Sequence, residues 1–434
     1  MLYDYMIYYI DCLFYGCIFY FGIVFLFIRL NKKKLMIDSE QLVLNDEDIR
    51  KTVENFTPKP IVDDIFDDVV LDLVDVKYEC TDFDIFNLKI LNKELIRKTI
   101  KEYGVGTCGP PGFYGTLDLH LELEQAITKK LQVESAILYS NSYTCINSVV
   151  MCFCRKDDIV FYHIHSNEAI IRGLSVAKCR LIGFIGLADL IAKLKKFVNR
   201  KYRNFILTEA LLRNTGEIID IAALISLKHQ FGVRLIIDES LSFPLLGPRG
   251  ISSYASTSPS DIDIIIGSLA HVFSANGGFS AGAYTVVDYQ RLSSKSYCFS
   301  ASLPGFLAKA SLENIEKPLN PNFNIIKYFH RNFNVPEYTI LSSIDSPIII
   351  ITKKIFIINT EEKDCLENYL ELDFEIQKQE IYNLQKIKKK LLEKEINVAI
   401  IKNPYPSIRI NLKVDWDEKD VEYIIKCLIE LLIE

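Results

Sequence analysis

Hydrophobic positions follow three rhythms along this chain. The first is a block without any charge over residues 12–28, dense in Phe, Ile, Leu and Tyr. Extended back through Tyr5 it is interrupted only by Asp11, and it then reaches the short end of a bilayer-spanning length. Asp4 and Asp11 precede it, and Arg29 and Lys32, Lys33 and Lys34 follow. That asymmetry keeps the C-terminal side cytoplasmic. There is no basic leading region or small-residue cleavage site, so residues 1–35 predict a single-pass transmembrane anchor and not a removable signal. Residues 36–80 predict a linker. Within it, apolar pairs at 61/62, 65/66, 69/70 and 73/74, with aspartates between them, predict an amphipathic helix with an acidic, solvated face.

The second rhythm occupies residues 81–318. Short β-rich runs at 135–139, 158–163, 204–208, 233–237 and 262–266 alternate with helix-like segments at 117–131, 188–198 and 220–231. Strand and helix in series imply right-handed crossovers and an α/β domain with a mostly parallel sheet. Ligand sites in such sheets lie beyond the C-terminal ends of the strands. Pro318 and Pro321 open the third rhythm. Residues 319–434 predict a smaller α/β domain, with strands at 347–352, 397–401 and 407–412 and helices at 376–394 and 418–433.

Composition narrows the class. The chain has 434 residues, 49% hydrophobic and 24% charged, which is a folded globular balance with room for two or three domains. A net charge of -6 argues against nucleic acid as a partner. Eleven cysteines, an odd number without a Cys-x-x-Cys pair, read as reduced thiols in a cytosol-facing domain. His163 and His165 share a strand face but lack an acidic or Cys partner at ligand spacing, so no metal site is expected.

Three stretches carry chemistry. "LIIDES" closes a hydrophobic strand with Asp238, either facing the crevice or capping the next helix. "YGVGTCGPPGFYGTLDLHLELE", residues 103–124, is a Gly- and Pro-rich loop running into a helix, where backbone is able to approach a ligand or a second chain. "IGSLAHVFSANGGF", residues 266–279, follows a β-rich run with small residues, Gly-Gly and a single strong side chain, His271.

Together "YGVGTCGPPGFYGT", "DESLSFPLLG", "SANGGF" and "YCFSASLP", with "FTPKPIV" and the anchor, resemble the α-oxoamine synthases, pyridoxal-phosphate enzymes of fold type I. Within them the chain is most similar to the family of non-catalytic, first long-chain-base subunits of serine palmitoyltransferase. The resemblance covers roughly residue 54 to the end. It implies a large domain with a mixed, mostly parallel sheet between helices and a small C-terminal domain. It matches Asp238 to the pyridine-binding Asp, and Ser142 and Tyr143 to the phosphate-side turn. It puts Asn167 where the ring-stacking His stands and Leu241 where another His follows the Asp. His271 occupies the position of the Schiff-base lysine, and an imidazole does not replace that amine. No catalytic residue is therefore assigned, and Lys295 lies outside the loop. Pro111 stands where the subunit family carries Arg.

The resemblance further implies a heterodimer with a lysine-bearing catalytic subunit, the second long-chain-base subunit, which binds the pyridoxal phosphate covalently. Cys108, Phe113, Tyr114 and His120 are assigned to the interface and the partner's active site, with Cys108 read as a small buried packing residue. Arg409 either lies near a substrate carboxylate or pairs a carboxylate within the small domain. The complex would condense L-serine with a fatty acyl-CoA of the palmitoyl class to 3-ketosphinganine, at the endoplasmic reticulum membrane. The alternatives are a scaffold or regulatory pseudoenzyme and an autonomous α-oxoamine synthase using another lysine.

Overall fold

The computed structural model describes residues 76–89, 93–361 and 374–433, with positions 47, 50, 51 and 54 before them. The apolar block at 12–28 and the acidic repeat from 61 to 75 lie outside the described residues. Among those described, no helix is long and apolar enough to cross a membrane. Val74–Glu434 forms one compact unit.

The first strand, β1 (Tyr78–Glu79), lies on an arm formed by residues 76–89. Seven strands then build the main sheet: β2 (Ser135–Tyr139), β3 (Ile159–His163), β4 (Arg180–Phe184), β5 (Asn204–Glu209), β6 (Arg234–Asp238), β7 (Ile264–Ser268) and β8 (Gly278–Gly282). Their order is β2-β8-β7-β6-β5-β3-β4. β3 to β7 pair in parallel, while β8 runs antiparallel to both β2 and β7. The central strands read as unbroken apolar runs because helices cover both faces, and all six residues of β5 are buried. The helix Ile221–Phe231 shows how local chemistry sets the bounds. The Asp220 side chain accepts from the Ala223 N–H at its start, and Gly232 at φ 68° closes its end.

Four of the five expected strands fall within one residue of their places. The fifth begins two residues later than its apolar run, at Ile264, because Asp263 is spent on ion pairs with Lys228 and Arg234. β4 and β8 carried no sequence signal. β8 reads GFSAG and is a strand because β2 and β7 flank it.

Beyond residue 330 come β9 (Tyr338–Ile340), β10 (Ile348–Lys353), β11 (Ile396–Asn397), β12 (Ala399–Ile401) and β13 (Ser407–Asn411). Four of them form an antiparallel sheet in the order β12-β13-β10-β9, and β11 instead pairs in parallel with β1. The arm is thus stitched to this second sheet. The Asn411 N–H donates to the Cys80 carbonyl at 2.9 Å and the Val414 N–H to that of Ile85 at 3.0 Å. Lys413 pairs with Asp82 and reaches the Asp84 carbonyl at 2.8 Å.

One apolar cluster joins all three parts. Phe83, Ile85, Phe86 and Leu88 of the arm pack with Leu211, Leu241, Leu245 and Val272 from loops of the main sheet, and with Ile348 and Ile350 of β10. Burying side chains of this size contributes about 1.5–3 kcal/mol each.

Candidate functional site

Asp238 and Glu209 end neighbouring strands in register, both fully buried at the C-terminal edge of the main sheet. Asn167 ties them together. As N-cap of the helix Glu168–Ala177 it donates its backbone N–H to Glu209 Oε2 at 2.9 Å. Its Nδ2 donates to Asp238 Oδ2 at 3.0 Å and to Glu209 Oε1 at 3.3 Å. The second oxygen of Asp238 accepts from the Ser240 N–H at 2.9 Å. Burial pushes the Glu209 carboxyl up to about 8, with the charge of Asp238 adding to it, and burial raises Asp238 as well. Asn167 therefore serves as a clamp on both carboxylates.

His271 lies in the loop from β7 to β8. That loop closes on itself through bonds from the Leu269 N–H to the Gly277 carbonyl and from the Ala275 N–H to that of Leu269. Burial pushes the imidazole down to about 4, and the nearby charges of Arg213 and Arg409 lower it further, so it is neutral at physiological pH. Its ring packs on Phe83 at 5.4 Å between centroids. The Arg213 guanidinium sits 4.6 Å from the Phe83 ring and that of Arg409 sits 4.5 Å away. Arg213, in the turn after β5, also feels Glu209 and Asp238. Arg409, on β13, donates from Nη2 to the Thr81 carbonyl at 3.1 Å, and its buried Nε has no partner. Among the described residues, no small-domain carboxylate is a hydrogen-bond or ion-pair partner of Arg409. Leu241 joins Phe83 in the apolar cluster.

The turn expected on the phosphate side, at Ser142 and Tyr143, opens the helix Ser142–Phe153, with Asn141 as its cap. The Asn141 Oδ1 accepts from the N–H groups of Tyr143, at 2.9 Å, and Thr144, at 3.3 Å. Gly278 lets this helix approach β8. A Cβ there would lie 2.7 Å from Cys145 Cβ and 2.9 Å from Ser142 Cα. The Gly-Gly pair thus serves close packing as well as turn geometry, Gly277 having φ 109°.

The Gly- and Pro-rich loop is pinned at its base and bare at its tip. Both the N–H and the hydroxyl of Ser302 donate to the Gly109 carbonyl, at 3.0 and 3.3 Å. At the tip Phe113 is 66% exposed, and Tyr114, at φ 63°, is fully exposed. Cys108 is exposed too, which corrects the expectation of a buried packing residue. Its φ of 56° places it in a turn that directs it away from the core. Pro111 heads the tight turn 111–115. His120 stands apart from these three. It is buried, its Nδ1 accepts from the Leu117 N–H at 3.0 Å, and its Nε2 donates to the Leu303 carbonyl at 2.6 Å. It caps a helix inside this chain. The string "YCFSASLP" acts as a strap, since Ser300, Ser302 and Leu303 bind Ser140, Gly109 and His120 in turn. Phe299, within it, is 84% exposed.

His163 and His165 are buried with rings 5.4 Å apart, and Phe184 packs on His163. No group of three or more His, Cys, Asp or Glu able to hold a metal ion occurs among the described residues. Lys295 is exposed at the start of a short helix.

Three site residues escaped the sequence reading. Glu209 ends an apolar strand just as Asp238 does, and that parallel is a usable signal. Phe83 and Arg213 carry no local pattern, because only the meeting of arm, loop and β13 makes them neighbours.

These side chains do not fit pyridoxal phosphate. Where the resemblance expects a bonding amine, the loop from β7 to β8 offers His271, an imidazole. Asp238 is already clamped by Asn167 and Ser240, the helix N–H groups are capped by Asn141, and Phe83 fills the space beside His271.

A family model described as aminotransferase class I and II matches residues 83–428. "Long chain base biosynthesis protein 1b" of Oryza sativa subsp. japonica is 35% identical over 273 residues, 59% of this chain and 56% of that protein. The chain thus spans just over half the length of that relative. "Serine palmitoyltransferase 1" of Dictyostelium discoideum is 32% identical over 371 residues, 78% of this chain and 75% of the relative. A solved structure of SPT with its PLP internal aldimine superposes with a TM-score of 0.68 at 16% identity, covering 81% of this chain and 86% of that one.

Proposed function

Because the chain belongs to the class I and II aminotransferase family, among homologues named serine palmitoyltransferase 1, we propose that it is the non-catalytic subunit of a serine palmitoyltransferase. The complex condenses L-serine with a fatty acyl-CoA to 3-ketosphinganine. A homologous, lysine-bearing partner holds pyridoxal phosphate covalently and performs the chemistry. The observation that carries this reading is His271, neutral and packed on Phe83, at the position where the family's lysine stands.

What this chain contributes is a surface. Phe113, Tyr114 and Phe299 expose aromatic rings on a loop and helix braced by the strap, and Cys108 lies beside them. Exposed aromatic groups on a rigid base are suited to burial against a second chain. We assign this face to the partner and its active site, and the block at 12–28 to a single-pass anchor in the endoplasmic reticulum membrane, with the globular part cytoplasmic.

Co-expression with the lysine-bearing homologue tests the proposal. Ketone formation dependent on serine and acyl-CoA should require both chains, survive His271→Ala, and vanish when the partner's lysine is removed. A borohydride-reducible pyridoxal absorbance in this chain purified alone would overturn it. A chain that never co-purifies with such a homologue would favour a scaffold.

A further inference from the structure

Among the described residues, Phe83 is the side chain in this pocket that comes from neither sheet. It arrives on the arm, is 7% exposed, and touches a group from each direction. His271 and Arg213 belong to loops of the main sheet, and Arg409 belongs to β13 of the second sheet. Burial brings Arg409 down to about 10, and the nearby charge of Arg213 lowers it further. Two buried guanidiniums, with no carboxylate paired to Arg409 among the described residues, are unfavourable unless something beside them offsets their charge. The π-face of Phe83 does so, being within cation–π range of both. Behind the ring, Leu241 and Val272 of the main sheet and Ile348 and Ile350 of the second sheet close the same apolar cluster.

We propose that Phe83 is a built-in occupant of the former cofactor pocket: a planar aromatic group supplied by the arm that locks the two sheets together without a ligand. Two consequences follow from its chemistry. The wild-type pocket has no room for a planar aromatic anion, although its arginines would otherwise attract one. Removing the ring exposes two guanidiniums around a ring-sized hole, and that hole takes such an anion.

The test uses the full-length chain and pyridoxine 5′-phosphate, a planar aromatic anion without an aldehyde to react with stray lysines. Its melting midpoint should be unmoved by millimolar pyridoxine 5′-phosphate in the wild type. It should rise saturably in Phe83→Ala and return to no response in Phe83→Ala with Arg213→Gln. Phe83→Leu keeps most of the volume but loses the π-face. Hydrogen exchange should then quicken about tenfold at the Cys80 amide of the arm and in β13, and in the loop carrying His271, with the rest of the main sheet unchanged. A wild-type chain that responds to pyridoxine 5′-phosphate as strongly as Phe83→Ala would overturn the proposal. So would a folded Phe83→Ala chain that takes up none. If Phe83→Ala does not fold, Phe83→Leu decides alone, and exchange identical to wild type in that variant sinks the lock.

Discussion

Glu209 is where burial and charge meet most sharply. Its carboxyl keeps its proton up to about 8 in the folded chain, against an ordinary value of 4.5. Between those two pH values the folded state holds a proton that the unfolded state has released. Wild-type stability therefore loses ground through Glu209 as pH rises across that window. Glu209→Gln removes the titration and keeps the shape. The stability of Glu209→Gln relative to wild type, from urea unfolding at several pH values, should grow from pH 5 to pH 8 by up to about 1.4 kcal/mol per pH unit. A flat difference would show that the proton is not held there. At this scale sequence reading located Asp238, because an acidic residue closing an apolar strand is visible as a pattern. It also marked Asn167 as a departure, but not as the donor that binds both acids, since those bonds cross 42 and 71 positions of chain.

At the scale of elements, the meeting of the helix Ser142–Phe153 with β8 is decided by a missing side chain. A Cβ on Gly278 would lie closer to Ser142 and Cys145 than atoms in contact allow, so Gly278→Ala must push the helix off the sheet. The expected cost is about 1–3 kcal/mol in denaturant unfolding. Wild-type stability in that variant would mean that the helix sits less tightly than described. The buried parallel strands were legible because helices on both faces demand continuous apolar runs. β8 was not, because its GFSAG sequence is permitted by neighbours and not driven by its own propensity. "YCFSASLP" was noticed for its texture, yet its work as a strap depends on Ser140, Gly109 and His120, which lie far from it in the chain.

At the scale of the whole molecule, two sheets and an arm converge on one filled pocket. Restoring a lysine alone should then fail to restore a cofactor site. Full-length His271→Lys, incubated with pyridoxal phosphate, should show no more borohydride-reducible absorbance than wild type, because Phe83 and the Asn167 clamp remain in place. A strong band would mean that the missing amine was the only obstacle. The sequence by itself determined that the chain is α/β and that Asp238 closes an apolar strand at the C-terminal edge of the sheet. Those properties rest on local periodicity and on residue identity. Only the tertiary structure decided that Cys108 faces outward, that His120 caps a helix, and that Phe83 lies against both arginines. Each of those depends on which distant segments touch, and contact between segments far apart in the chain leaves no periodic trace along it.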